Sequence, residues 1–278
     1  MRRIFSLIII SLISISISMS QNVGQKGDSI VNYKDINGLK QGKWSKIYKN
    51  KKVAYTATFK NDKFIGEYHR FYKNGRPSLI VNYDLEGKES GYGKIFYDNK
   101  KLASEGNYIK KNIKDGLWKY YAVDGRLVME ITYSNGVKNG KELTYWSNGK
   151  VMQEKNWKNG VEDGLWAQYF QNGSNKLKTR MVNGKRDGLY YVYYPNGHYY
   201  AKGAYKNNLR DGRWIYADTE GKVTRDTEYT NGIPADQDKI DKETTRKLEE
   251  YEQMKGLIPD PTIDNMFKYS QTYGPISK

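Results

Sequence analysis

The 278 residues include no cysteine, two histidines and six prolines. Without cysteine there is no disulfide, no thiolate nucleophile, no thiolate metal site and no lipid-bearing N-terminal cysteine. His69 and His198 are too few for an imidazole cluster, so each reads as an ordinary strand residue and no metal or cofactor site is expected. Apolar residues are also scarce. A hydrophobic content of 37% and a mean hydropathy of -0.87 leave little material for a thick core. Such a composition at a net charge of +16 suits a disordered chain, yet disordered chains lack aromatics, and this one has 26 Tyr, 7 Phe and 6 Trp. Something ordered must use the rings.

Long apolar runs are absent except at the start. Arg2 and Arg3 precede an apolar stretch from Ile4 to Met19 broken only by serine, followed by the small residue Ser20. That order is the pattern of a secretory signal, with cleavage expected after Ser20 and Gln21 at the mature end. The run is shorter than the roughly 20 apolar residues a spanning helix needs. An exported protein is expected, in the periplasm, at the cell surface or secreted.

What the chain has is a period. Gly42, Gly66, Gly91, Gly116, Gly140, Gly164, Gly188 and Gly212 recur every 24 or 25 residues, and a fixed period defines a repeat architecture. Counting each of these glycines as position zero, position eight opens a turn: Asn74-Gly75, Asp124-Gly125, Asn148-Gly149, Asn172-Gly173 and Asn196-Gly197, with Asn50-Lys51, Asn99-Lys100 and Glu220-Gly221 in the other repeats. Asn-Gly and Asp-Gly tolerate positive φ at both centres of a type I′ hairpin turn. A second, longer turn is expected at positions nineteen and twenty, where Asn135-Gly136, Asn159-Gly160, Asn183-Gly184 and Asn231-Gly232 recur. Each repeat is therefore strand, turn, strand, turn. The organisation expected is a signal over 1–20, an N-terminal segment or half repeat over 21–36, eight repeats over 37–232, and a C-terminal helix and tail over 233–278.

Rings occupy fixed phases. Position two holds Trp44, Tyr68, Trp118, Trp166, Tyr190 and Trp214; position six holds Tyr48, Tyr72, Tyr97, Trp146, Phe170 and Tyr194; position seventeen is aromatic in seven repeats. Positions two and six share parity and so one strand face, where rings would stack in rows. Position five has the opposite parity and carries Phe71, Phe96, Tyr121, Tyr145, Tyr169 and Tyr193, the candidate binding face. Charged residues and threonine fill most other strand positions, which suits a sheet wetted on both sides. The expected fold is all-β: an elongated, mostly single-layer antiparallel sheet of about 16 strands in β-hairpin repeats, with a short C-terminal helix.

The segments NGKRDGLYYVYYPNGHYYAKGAY, NGVEDGLWAQYFQNGSNKLKTRM and NGVKNGKELTYWSNGKVMQEKNW resemble the MORN repeat variant of bacterial proteins, with its NG-K-x-DG-x-W-x-x-Y-Y-x-NG-K pattern. The resemblance covers about 195 residues. It implies a β-hairpin array used as an interaction scaffold, and bacterial chains of this type carry the name of YwqK family antitoxins of toxin–antitoxin systems. The repeats depart from the pattern at Gly93 and Glu142 in position two and at Ala122 and Asp218 in position six.

Beyond Pro234, glycine disappears and Ile240, Thr244, Leu248 and Tyr251 fall at helical spacing, with Asp236 able to cap the start and Gly256 to end it. The narrow stripe is expected to cover an end or face of the sheet, the alternative being a partner-binding or oligomerising helix. The array, residues 21–232, carries 38 basic and 22 acidic side chains. Such a surface attracts anionic lipid or glycan, or simply solubilises the sheet; nucleic acid is not expected outside the cell. No enzyme is expected. Asp115, Asp163, Asp187 and Asp211 precede repeat glycines where they support turns, and Gly91 with Gly93 is half a nucleotide-binding fingerprint in a repeat. The functions open to the chain are a scaffold for another envelope protein, a glycan- or anionic lipid-binding module, and an antitoxin-like neutraliser of one partner toxin.

Overall fold

A computed structural model describes residues 31–110 and 112–253; the signal reading and the end of the chain, Gly256 included, lie outside them. The described strands are β1 (Tyr33–Lys34), β2 (Lys40–Ile47), β3 (Val53–Lys60), β4 (Lys63–Phe71), β5 (Pro77–Tyr83), β6 (Gly91–Phe96), β7 (Leu102–Lys110), β8 (Ile113–Tyr121) and β9 (Leu127–Ser134). They continue as β10 (Val137–Tyr145), β11 (Val151–Lys158), β12 (Val161–Tyr169), β13 (Asn175–Val182), β14 (Lys185–Tyr193), β15 (Tyr199–Lys206), β16 (Leu209–Ala217), β17 (Val223–Thr230) and β18 (Ile233–Pro234), followed by the helix α1 (Gln237–Gln253). Every pairing is antiparallel and joins neighbours in sequence, giving one open sheet of hairpins. The sheet exceeds the expected 16 strands by the two-residue strands at its ends.

The two turns exchange the roles suggested by the sequence. Between β9 and β10 and between β13 and β14 the connection is only two residues, both left-handed: Asn135 and Gly136 at φ 50° and 83°, Asn183 and Gly184 at 49° and 77°. Those are the type I′ turns. At the position-eight turn only position nine is left-handed, as at Gly149 with φ 81°. There Gly149 N–H donates to Trp146 O (3.0 Å) and Trp146 N–H to Lys150 O (2.8 Å), a three-residue type I turn closed by a glycine bulge. The asparagine side chain explains the choice. Asn148 Oδ1 accepts Lys150 N–H (3.1 Å) while its Nδ2 donates to Gln171 O (2.8 Å) in the next repeat, so it works as a local turn acceptor and a strut between repeats.

The repeat glycine is a bulge inside the strand. Seven of the eight, all but Gly91, have φ from 61° to 118°, and the ladder slips beside them, as where Lys155 pairs with Trp166 but Trp157 with Glu162. The preceding carboxylates hold the type I′ turn: Asn135 N–H donates to Asp115 Oδ1 (3.0 Å), and Asn183 and Asn207 N–H donate to Asp163 and Asp187 (3.2 Å each).

Position-six rings lie past the strand ends rather than stacking in a row with position two. They donate instead to the position-five carbonyl of the next repeat: Tyr48 Oη to Phe71 O (2.6 Å), Tyr72 to Phe96 O (2.7 Å), Tyr97 to Tyr121 O (2.7 Å), and Trp146 Nε1 to Tyr169 O (3.1 Å). Each of these bonds ties one hairpin to the next.

A buried cluster, Ala57, Phe59, Phe64, Val81, Tyr83, Tyr108 and Trp118, lies on one face across β3 to β8. The helix does not cover the sheet as expected. None of its residues is buried, and Leu248 and Tyr251 are 59% and 64% exposed. Asp236 anchors only its first turn, its carbonyl accepting Ile240 N–H (3.1 Å).

Candidate interaction surface

Strand alternation sorts side chains onto two faces. The first holds positions two, fifteen and seventeen and is largely consumed by its own packing. Trp118 and Trp214 are 0% and 1% exposed there. Their indoles occupy the space that side chains at Gly106 and Gly203 would need, and their Nε1 groups donate to Asn107 O (2.9 Å) and Ala204 O (3.0 Å). Trp44 donates likewise to Gln41 O (3.1 Å), whereas the buried Nε1 of Trp166 has no hydrogen-bond partner among the described residues. Cations roof the rings: Lys114 Nζ is 4.4 Å from the Trp118 ring centre, Lys138 4.3 Å from Trp157, Arg210 4.8 Å from Trp214, and Arg186 lies over Trp166, Tyr190 and Tyr205. Ammonium and guanidinium over a ring face are attracted by its quadrupole while remaining wet. One sheet layer thereby buries tryptophan without a second layer. It also gives part of the basic composition a structural role, since these cations serve the fold.

The second face carries position five. Phe71, Phe96, Tyr121, Tyr145, Tyr169 and Tyr193 all stand on it, half-buried and one per hairpin, about 10 Å apart for two strand spacings. They do not form one uniform row. In the middle of the sheet the tyrosines clasp a line of glutamates at position fourteen: Tyr121 Oη donates to Glu105 (2.7 Å) and Tyr145 Oη to Glu130. Lys141 pairs with Glu154 (2.8 Å) beside Tyr169, and Lys119 lies 3.8 Å from Glu130. The bond from Tyr121 holds the Glu105 carboxyl below its ordinary range, while burial and the same bond push the Tyr121 hydroxyl well up. Burial and Glu105 raise the neighbouring Tyr92 to about 12. The middle of this face is thus a fixed, polar, ring-studded surface.

Towards the C-terminal end the same face changes character. Tyr193 joins Tyr199 (ring centres 4.9 Å apart) and Tyr191 (6.3 Å), and a shallow groove of about 590 Å³ opens among Leu165, Leu189, Lys178, Arg180, Tyr191 and Tyr193. It continues toward β16 past Lys202, Arg213 and Ile215. Sequence reasoning singled out only Tyr193 here. The usable signal was a run: position one, which holds Lys43 and Glu67 in the first two repeats and Leu117 singly in the fourth, is leucine in two consecutive repeats only at Leu165 and Leu189.

The MORN repeat variant family matches four stretches, residues 40–61, 89–110, 138–159 and 186–207. These are alternate repeats: the first, third, fifth and seventh. Repeats of this variant are in general protein- or membrane-lipid-interaction modules. No curated protein matches the chain. The hairpins between the matched stretches share the glycine period and the same consecutive antiparallel pairing.

Proposed function

We propose that the chain is an exported, non-enzymatic scaffold that holds another protein of the cell envelope on its position-five face. The observation that carries this reading is the run Phe71, Phe96, Tyr121, Tyr145 and Tyr169, rings at one spacing on one face, two of them fixed through Glu105 and Glu130. Rigid aromatic anchors lose little entropy on binding, and such residues dominate protein interfaces. The opposite face is occupied by its own cation-roofed tryptophans. The apolar start of the sequence supports export.

The test has two parts. Cell fractionation with N-terminal sequencing should find a chain beginning near Gln21 outside the cytoplasm; an intact cytosolic chain beginning at Met1 would return the antitoxin reading to first place. A photo-crosslinker at Phe96 or Tyr169 of the full chain should then trap one envelope protein, and Lys114 on the other face should not. Equal trapping from both faces would sink the choice of surface.

A second reading rests on its own observation. At the hairpin tips of the first three repeats, the side chains of Lys49, Lys51, Lys73 and Lys100 are exposed and make no ion pair among the described residues. An anionic lipid or glycan would bind there, and its affinity would fall steeply as salt rises.

A further inference from the structure

Two apolar surfaces of this chain lie uncovered, and they match. The groove on the position-five face crosses β12 to β16, four strand spacings or roughly 19 Å. On its floor Leu165 and Leu189 are 40% and 60% exposed, and Lys178, Arg180 and Lys202 beside them make no ion pair among the described residues. The helix α1 presents Ile240, Thr244, Leu248 and Tyr251 along one stripe, roughly 17 Å at the usual rise per residue. It carries six acidic and four basic side chains, and Glu249 and Glu252, flanking Leu248 and Tyr251, have no partner among the described residues. Length, polarity and sign all agree.

The helix cannot simply lie down in the groove of its own chain. Asp236, immediately before it, accepts from Arg225 (2.8 Å) and Thr227 Oγ1 (2.8 Å). Arg225 lies over the rings of Tyr216 and Tyr229, on the tryptophan face. The helix therefore leaves the sheet on one side while the groove opens on the other. We infer that the occupant is a second copy: α1 of one chain seats its Ile240–Tyr251 stripe across the Leu165–Leu189 groove of another, and the exchange is reciprocal, closing a dimer with two identical helix-in-groove contacts. This interface uses the C-terminal repeats and leaves Phe71 to Tyr169 free, so it stands or falls independently of the envelope-partner reading.

Sedimentation equilibrium of the full mature chain over a dilution series tests it. The wild type should be a dimer that dissociates on dilution, and Leu189→Glu and Leu248→Glu, both at exposed sites, should each weaken association at least tenfold, with a melting temperature unchanged at dilutions where wild type and variant are both monomeric. Lys202→Glu on the groove rim should weaken it too, and it serves if Leu189→Glu fails to fold. Adding Lys178→Glu, Arg180→Glu, Glu249→Lys and Glu252→Lys to Lys202→Glu should restore association, because the attraction across the interface is then re-formed with the signs exchanged. A wild type monomeric at every concentration, or a dimer indifferent to Leu189→Glu or Leu248→Glu, would overturn the proposal. So would a monomer whose α1 becomes protease-sensitive only on Leu189→Glu, since that helix would be seated in its own chain.

Discussion

The indole of Trp118 fills the place of the side chain that Gly106 lacks: the two residues pair across β7 and β8, and a Cβ on Gly106 would stand 2.5 Å from the ring. Gly203 stands in the same relation to Trp214, at 2.3 Å, and Gly93 to Tyr108, at 2.5 Å. Ring over glycine on a neighbouring strand gives the single layer its core. Gly106→Ala should therefore destabilise the array by about 1–3 kcal/mol, the usual cost of overpacking. In the Trp118→Ala background the same change should cost far less, because the clash has gone. Equilibrium denaturation of the four chains measures both, and a Gly106→Ala chain as stable as wild type would show that the ring can move aside.

The period and the hairpins were open to sequence reasoning because a left-handed backbone leaves a chemical trace, glycine or asparagine at fixed phase. Which turn was which was not. Asn-Gly serves both turns, and at position eight the deciding factor is what the asparagine side chain bonds to, as Asn148 does with Lys150 N–H and Gln171 O. Strand parity likewise put Phe71 to Tyr193 on one face, but not the glutamates that Tyr121 and Tyr145 clasp, since Glu105 and Glu130 belong to the preceding hairpin. Nor did α1 follow its amphipathic stripe onto the sheet, because its surroundings are set by Asp236 and not by the stripe.

Two hairpin tips place lysine where the others place glycine. Lys51 and Lys100 sit at φ 63° and 69°, a conformation costing an ordinary residue about 1–2 kcal/mol. Lys100→Gly should stabilise the chain by up to about 1 kcal/mol, the gain being reduced by the greater freedom of glycine in the unfolded chain. Gly149→Ala, at φ 81°, should shift the denaturation midpoint the other way. If the two substitutions moved it in the same direction, backbone strain would not be what these tips share.

The rungs at position six offer a loss and a gain. Tyr97→Phe removes the bond to Tyr121 O and should cost about 1 kcal/mol. The next repeat has Ala122 at that place, with the same turn bond from Ala122 N–H to Arg126 O (2.8 Å). Ala122→Tyr should supply the missing rung to Tyr145 O and raise the melting temperature. A melting temperature that falls would mean that the tip of this repeat is held in a different register from its neighbours.

Alkali should unfold the sheet through its tyrosines. Burial, with smaller contributions from neighbouring hydroxyls and carboxylates, raises Tyr83 and Tyr133 to about 12 and lifts Tyr68, Tyr108, Tyr120 and Tyr190 above the ordinary value of 10.0. A hydroxyl whose folded value lies above its unfolded one favours the fold fully below the unfolded value, and that contribution drains away as pH climbs toward the folded value. Stability should therefore be flat with respect to these groups up to about pH 10 and decline between about 10 and 12. Tyrosinate absorbance followed together with far-ultraviolet circular dichroism tests this. The buried tyrosines should ionise late and in step with loss of the strand signal, whereas complete ionisation near pH 10 with the strands intact would mean that the rings on the tryptophan face are open to water.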